Sequence, residues 1–277
     1  MTLRRFFLPV VALLAGTQVL AAQGVVVAPH AVYLDHRTRS AAITLYNPGA
    51  EPVEVSISAF YAYPVTDSLG QFTLETPDSV TAGMPSAAAW IRAFPRIMTV
   101  PPLARQTVRL LAQPPAGLPD GEYWSLVLIA AKGGSLPVSA GDTAGISVGL
   151  TLEVRTIIPL TYRKGAVVTG LALSGLHATP AGDSLAIRVH AERQGSAAYI
   201  GTARGALRDA AGKVVGSFSE PVAIYYQAEP TFAIARQGLP AGRYQLTVEF
   251  TNERTDLMPE QLLKGPPVRD SLEVTLP

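Results

Sequence analysis

Residues 145–149 read GISVG, a G-x-S-x-G sequence that in hydrolases sets a nucleophilic serine on a sharp turn between a strand and a helix. Ser147 would need that elbow, a general base and an oxyanion hole. Here a Gly- and Asp-containing segment precedes it and an alternating apolar segment follows, so Ser147 reads as a strand serine. The four histidines, His30, His36, His177 and His190, are scattered and form no HExxH or other metal-ligand spacing. There is no cysteine, no P-loop and no GxGxxG. No pair of carboxylates is brought together by spacing alone. The chain therefore reads as a protein that binds rather than catalyses, with no cofactor and no metal.

What the sequence does offer is alternation. Ile146, Val148, Leu150, Leu152 and Val154 fall on every second position, and the phase resumes at Ile158, Leu160 and Tyr162. A period of two places these side chains on one face of a β-strand. A strand through residues 146–162 would run roughly 55 Å at about 3.3 Å per residue, where strands usually have three to ten residues. Similar alternation recurs at 25–35, 40–47, 51–63, 106–113 and 122–131, separated by turns such as NPGAEP and PPLA. The polar stretch 64–89 reads mostly as loop, and so does KGGSLPVSAGDTA before the long strand. MPEQLLKG (258–265) reads as a single helical turn. After Tyr162-Arg163-Lys164-Gly165 the strand pattern starts again and continues to the end. Many short strands with Gly/Pro turns predict an all-β fold of two sandwiches in tandem.

The first residues set the address. MTLRR is basic, FFLPVVALLAGTQVL is apolar, and VLAAQG offers small residues for cleavage after Ala21. This is the pattern of a secretory signal peptide over 1–21 rather than of a membrane anchor. The expected domains are then 22–163 and 164–277, outside the cytoplasm, and the style of the signal places them in a bacterial periplasm. With 22 basic and 21 acidic residues the net charge is +1, which gives no field to draw nucleic acid or an anionic membrane. Recognition must rest on shape and apolar contact.

Several segments in order carry a resemblance: AITLYNPGAEPVEVSI, AAWIRAFPRIMTVPPLARQTVRLL, GLPDGEYWSLVLI and LTYRKG. Together the chain resembles the periplasmic chaperones of pilus and fimbrial assembly, nearly throughout the first domain. In the second, the likeness is confined to the strand pattern and LPAGRY. The resemblance implies two immunoglobulin-like domains. It also implies a function: holding a secreted fimbrial or pilus-type subunit by donating strand 146–158 to the subunit's incomplete sandwich, an instance of β-augmentation. An outer-membrane usher is the second candidate partner. Ile146, Val148, Leu150, Leu152 and Val154 would be the donor residues, Val154 either the last of them or the first to turn into its own core.

The resemblance further implies that Glu122 and Arg163 pair across the domain joint, and that Arg109 matches a family arginine. At the two places where the family clamps its subunit's terminal carboxylate with an arginine and a lysine, this chain has His30 and Pro159. Neither can do that work, because proline has no donor and neutral histidine is a poor carboxylate clamp. Arg92 and Arg155 are the candidate substitutes. The alternative class is a structural or adhesive surface protein built of sandwiches. The full strand count in both halves weighs against it.

Overall fold

The computed structural model describes residues 24–138 and 148–277; the expected signal peptide, Ile146 and Ser147 lie outside them. The described chain is all-β apart from two short 3-10 turns. In the first half the strands are β1 (Val26–Ala28), β2 (Val32–Asp35), β3 (Ser40–Tyr46), β4 (Val53–Phe60), β5 (Tyr63–Thr66) and β6 (Phe72–Glu75). They continue with β7 (Ile91–Phe94), β8 (Ile97–Val100), β9 (Arg105–Ala112), β10 (Gly121–Val138) and β11 (Val148–Lys164). The second half contains β12 (Thr169–Ala181), β13 (Ser184–Gly195), β14 (Tyr199–Arg208) and β15 (Val214–Ile224). After these come β16 (Gln227–Ala228), β17 (Thr231–Ala235), β18 (Gly242–Thr251) and β19 (Val268–Leu276).

Two sheets face each other in each half. The first sandwich packs β1-β3-β9-β7 against β2-β11-β10-β4-β8, and the second packs β12-β13-β16/β17 against β15-β14-β18-β19. The fold class is thus the tandem sandwich the alternation predicts. Along β4 the burial alternates strictly, with Val53, Val55 and Ile57 inward and Glu54, Ser56 and Ser58 outward. Ile43, Leu45, Leu110, Ile129, Leu160 and Tyr162 meet in the first core; Leu185, Ile187, Leu246 and Phe250 lie in the second. With no cysteine in the chain, this apolar burial is the main stabilising term in each half.

Turn chemistry fixes the register. Asn47 is fully buried, and its side-chain amide donates to the carbonyls of Glu51 (2.7 Å) and Val100 (3.0 Å). Its Oδ1 accepts from the Gly49 N–H at 2.9 Å. A buried amide with every contact made in this way holds one loop conformation, whereas an apolar residue there would orphan two carbonyls.

One sequence expectation needs refinement and another correction. Residues 64–89 are mostly loop as expected, but the segment also contains a hairpin that the composition does not announce: β5 and β6, paired from Tyr63↔Glu75 to Thr66↔Phe72. Residues 132–138 are not loop, because β10 runs on to Val138 opposite β11, with an irregularity between Lys132 and Ser135. In both cases cross-strand pairing outweighs a Ser/Gly-rich composition that reads as turn. MPEQLLKG contributes only the 3-10 turn Pro259–Gln261.

Ile129, fully buried in the first core, supplies a direct check. Ile129→Ala removes three carbons from a site that cannot collapse completely. The first domain should lose about 2–5 kcal/mol, seen as a lower urea midpoint. An unchanged midpoint would contradict the packing described.

Candidate functional site

β11 pairs with β10 along its whole length, but on its other side β2 covers only Leu160–Arg163. Among the described residues no other strand pairs with 148–159. The long strand thus leaves an open sheet edge, a row of backbone donors and acceptors of the kind proteins usually cap or blunt. Pro159 stands beside the first β2-paired residue, opposite Leu126, and has no N–H to add to the row.

The even-numbered face of β11 changes character along the strand. Ile158, Leu160 and Tyr162 are buried in the strand's own sandwich. Val154 is half-buried, and the backbone of Gly24 lies directly over it: a Cβ built at Gly24 would stand 3.1 Å from that of Val154. Leu152 is 45% exposed. The row thus passes from buried at Ile158 through half-buried at Val154, outside the first core cluster, to exposed at Leu152. Val148 and Leu150 fall within β11 opposite Val138 and Leu136. Ile157, 43% exposed, adds apolar surface in the opposite phase. In that phase Glu153 binds Arg155 (2.5 Å) and Lys132 (3.5 Å), and the Arg155 hydrogen bond holds its carboxyl below the usual range.

A second constellation lies at the far end of the same strands. Glu122 is buried, with 3% of its surface exposed. Its Oε2 accepts from Arg163 Nε at 2.8 Å, while Oε1 accepts from Trp124 Nε1 (2.8 Å) and from the Ala198 N–H (2.9 Å). Arg163 also donates to the Gln261 carbonyl (2.9 Å) and lies 5.1 Å from the ring centre of Tyr33. Burial pushes the Tyr33 phenol up, opposed by the nearby guanidinium. Glu122 and Arg163 face each other in register on β10 and β11, so the pair is internal to the first sandwich. This corrects the expectation of a pair bridging the joint. The bridge is made by the two backbone groups of the second half, Ala198 N–H and Gln261 C=O. Around it pack Tyr61, Trp124, Ala198 and Tyr225, with Tyr63 and Tyr226 at the margin.

The remaining candidates are dispersed. His30 is exposed between β1 and β2. Arg109 is exposed on β9, opposite Ala42 and Phe94. Arg92 donates to the carbonyls of Ala89 and Ile91, and Arg155 is held by Glu153, so neither substitute offers an unengaged guanidinium. Trp124, Ala198, Gln261 and the tyrosine cluster were not legible as a site from sequence. The doublets Tyr61/Tyr63 and Tyr225/Tyr226 were the available signal. Among the described residues no three His, Asp or Glu side chains are placed to hold a metal, and no helix is long and apolar enough to cross a membrane.

No family model and no curated protein matches the chain. Solved structures do resemble it at low identity. The YadV chaperone is 16% identical over 91% of this chain and 100% of its own, with a TM-score of 0.47. A chain from the chaperone–tip adhesion subunit pre-assembly complex CsuC–CsuE of Acinetobacter baumannii is 13% identical over 90% and 97%, with a TM-score of 0.45. A chain from the Salmonella enterica complex of SafA pilin with the SafB chaperone is 15% identical over 90% and 97%, at 0.42.

Breaking one side of a buried pair strands the other charge. Glu122→Ala should therefore destabilise the protein by about 3–5 kcal/mol. In a double-mutant cycle with Arg163→Ala the two losses should fall well short of adding. Additive losses in urea denaturation would show that the two groups act independently.

Proposed function

We propose that the protein is a periplasmic chaperone of the pilus-assembly type, which holds fimbrial or pilus-type subunits by lending them strand β11. The observation that carries this reading is the edge 148–159: unpaired on one side among the described residues, and apolar at Leu152 where the row leaves its own core. An incoming strand can hydrogen-bond to that edge while alternate side chains enter the pockets of an incomplete sandwich. Ile146, Val148, Leu150 and Leu152 are the donor residues in this reading, with half-buried Val154 at the boundary between donor row and home core. The basic, apolar and small-residue order of residues 1–21 supports export to the periplasm.

The charges on the opposite phase suit the same task. Glu153, Lys132 and Arg155 keep the outward face polar, so a one-residue slip in register would press charge into the client's core. With His30 and Pro159 at the family's anchor positions and Arg92 and Arg155 engaged elsewhere, attachment rests on the strand itself. An outer-membrane usher would receive the complex.

Co-export with a single-domain fibre subunit lacking its final strand tests the reading. The wild-type chain should co-purify with the subunit. Leu152→Asp should weaken capture about tenfold to a hundredfold, the equivalent of losing one buried leucine, with unchanged circular dichroism. Undiminished capture by a folded Leu152→Asp protein would sink the assignment.

A further inference from the structure

The β5–β6 hairpin belongs to the first half by sequence, yet its tip rests on the second. It leaves the end of β4 through Tyr61 and Tyr63. The Tyr61 hydroxyl bonds the Tyr226 hydroxyl (2.9 Å), and the Tyr63 ring meets that of Tyr226 edge-on at 4.8 Å. Each four-residue strand of the hairpin spans roughly 13 Å at about 3.3 Å per residue. The tip does not end in solvent. The Glu229 N–H donates to Thr66 Oγ1 at 2.7 Å, and the Thr231 N–H donates to the Gly70 carbonyl at 3.0 Å. From below, Arg188 Nη2 donates to the Ser68 carbonyl at 3.2 Å.

These donors have a particular position. Among the described residues β16 and β17 pair only with β13 and form the outer edge of their sheet. Glu229 follows β16 and Thr231 opens β17, and the N–H of each finds an acceptor in the hairpin. The hairpin thus occupies a sheet edge that would otherwise present unpaired donors. The fit at the tip is close. Gly70 has φ +76°, and a Cβ there would stand 2.0 Å from Thr231 Oγ1 and 2.8 Å from the Glu229 carbonyl, so glycine is required for both conformation and space. Within the tip the Asp67 carboxylate accepts from the N–H groups of Leu69 and Gln71, both at 2.9 Å, which holds the turn in the shape that docks.

From this geometry we propose that the β5–β6 hairpin is a strap: the first half uses it to close the open β16–β17 edge of the second, and this contact fixes the angle between the two sandwiches. Its tip contacts Arg188, Glu229 and Thr231, whereas the Glu122 bridge fastens the joint through Ala198 and Gln261. The two fasteners together define a rigid pair of sandwiches, where one alone would leave a hinge. The inference is independent of what β11 binds.

The full chain, naturally free of cysteine, can be spin-labelled cleanly at Thr99→Cys in the first half and Thr275→Cys in the second, both exposed. In the parent a single narrow distance distribution is expected by double electron–electron resonance. Gly70→Val should broaden it and speed thermolysin cleavage within 66–75 about tenfold, as expected when a local contact of two or three hydrogen bonds opens. Thr66→Val, which keeps the side chain's shape and removes one acceptor, should move both readouts in the same direction by less. It carries the test should Gly70→Val fail to fold. A folded variant with an unchanged distance distribution and unchanged cleavage would overturn the strap.

Discussion

β11 outlasts its neighbour. β2 runs beside it for Leu160–Arg163 and then departs through Pro29 and His30 toward the other sheet, where β1 pairs with β3. Backbone groups in a sheet must be paired or wetted, so where β2 leaves, the rest of the edge faces water or a partner. The same departure decides the fate of the apolar row on β11. Behind β2 the row is covered as Ile158, Leu160 and Tyr162; beyond it Val154 is half-covered by Gly24 and Leu152 is open. One continuous alternation thus serves two purposes, filling its own core at one end and offering itself at the other. The length of a pairing, rather than any special residue, sets the boundary.

At the covered end the strand pair carries a buried charge. Taking the Glu122 carboxylate out of water is costly, and attraction to Arg163 alone does not guarantee repayment. The remaining acceptor sites are satisfied by Trp124 and by a backbone N–H from the second sandwich, so the charge is at ease only when the halves are docked. A buried carboxylate satisfied in this way selects one arrangement of the joint over its neighbours, because sliding either half by an ångström or two breaks a charge-assisted hydrogen bond. The tyrosines around it give apolar area without that directional demand. Burial pushes the Tyr61 and Tyr225 phenols upward, so both stay protonated and neutral within the joint.

The fold was legible because sandwich strands announce themselves by alternation, and the alternation at 53–58 matches the burial residue for residue, whereas 122–131 is buried on both faces for most of its length. It was illegible where composition and pairing disagree. Thr, Ser, Gly and Pro over 64–89 read as loop, and most of the stretch is loop, yet four cross-strand pairs make a hairpin of 63–75, since what stabilises a strand is the neighbour it meets. The Ser/Gly-rich continuation of β10 past Lys132 was hidden for the same reason.

Sequence by itself determined the period of the strands, the existence of two sandwiches, the overlong apolar row from residue 146 to 162, and the absence of any thiol chemistry, because these are properties of residue type and spacing. Tertiary structure decided where along that row the core ends, that Glu122 and Arg163 sit side by side and reach the second half only through backbone groups, and that a polar segment becomes a hairpin lying on a distant edge. Each of those depends on which backbone N–H and C=O groups remain unpaired after the sheets have formed. That remainder is fixed by contacts between residues far apart in the chain, and no local pattern encodes it.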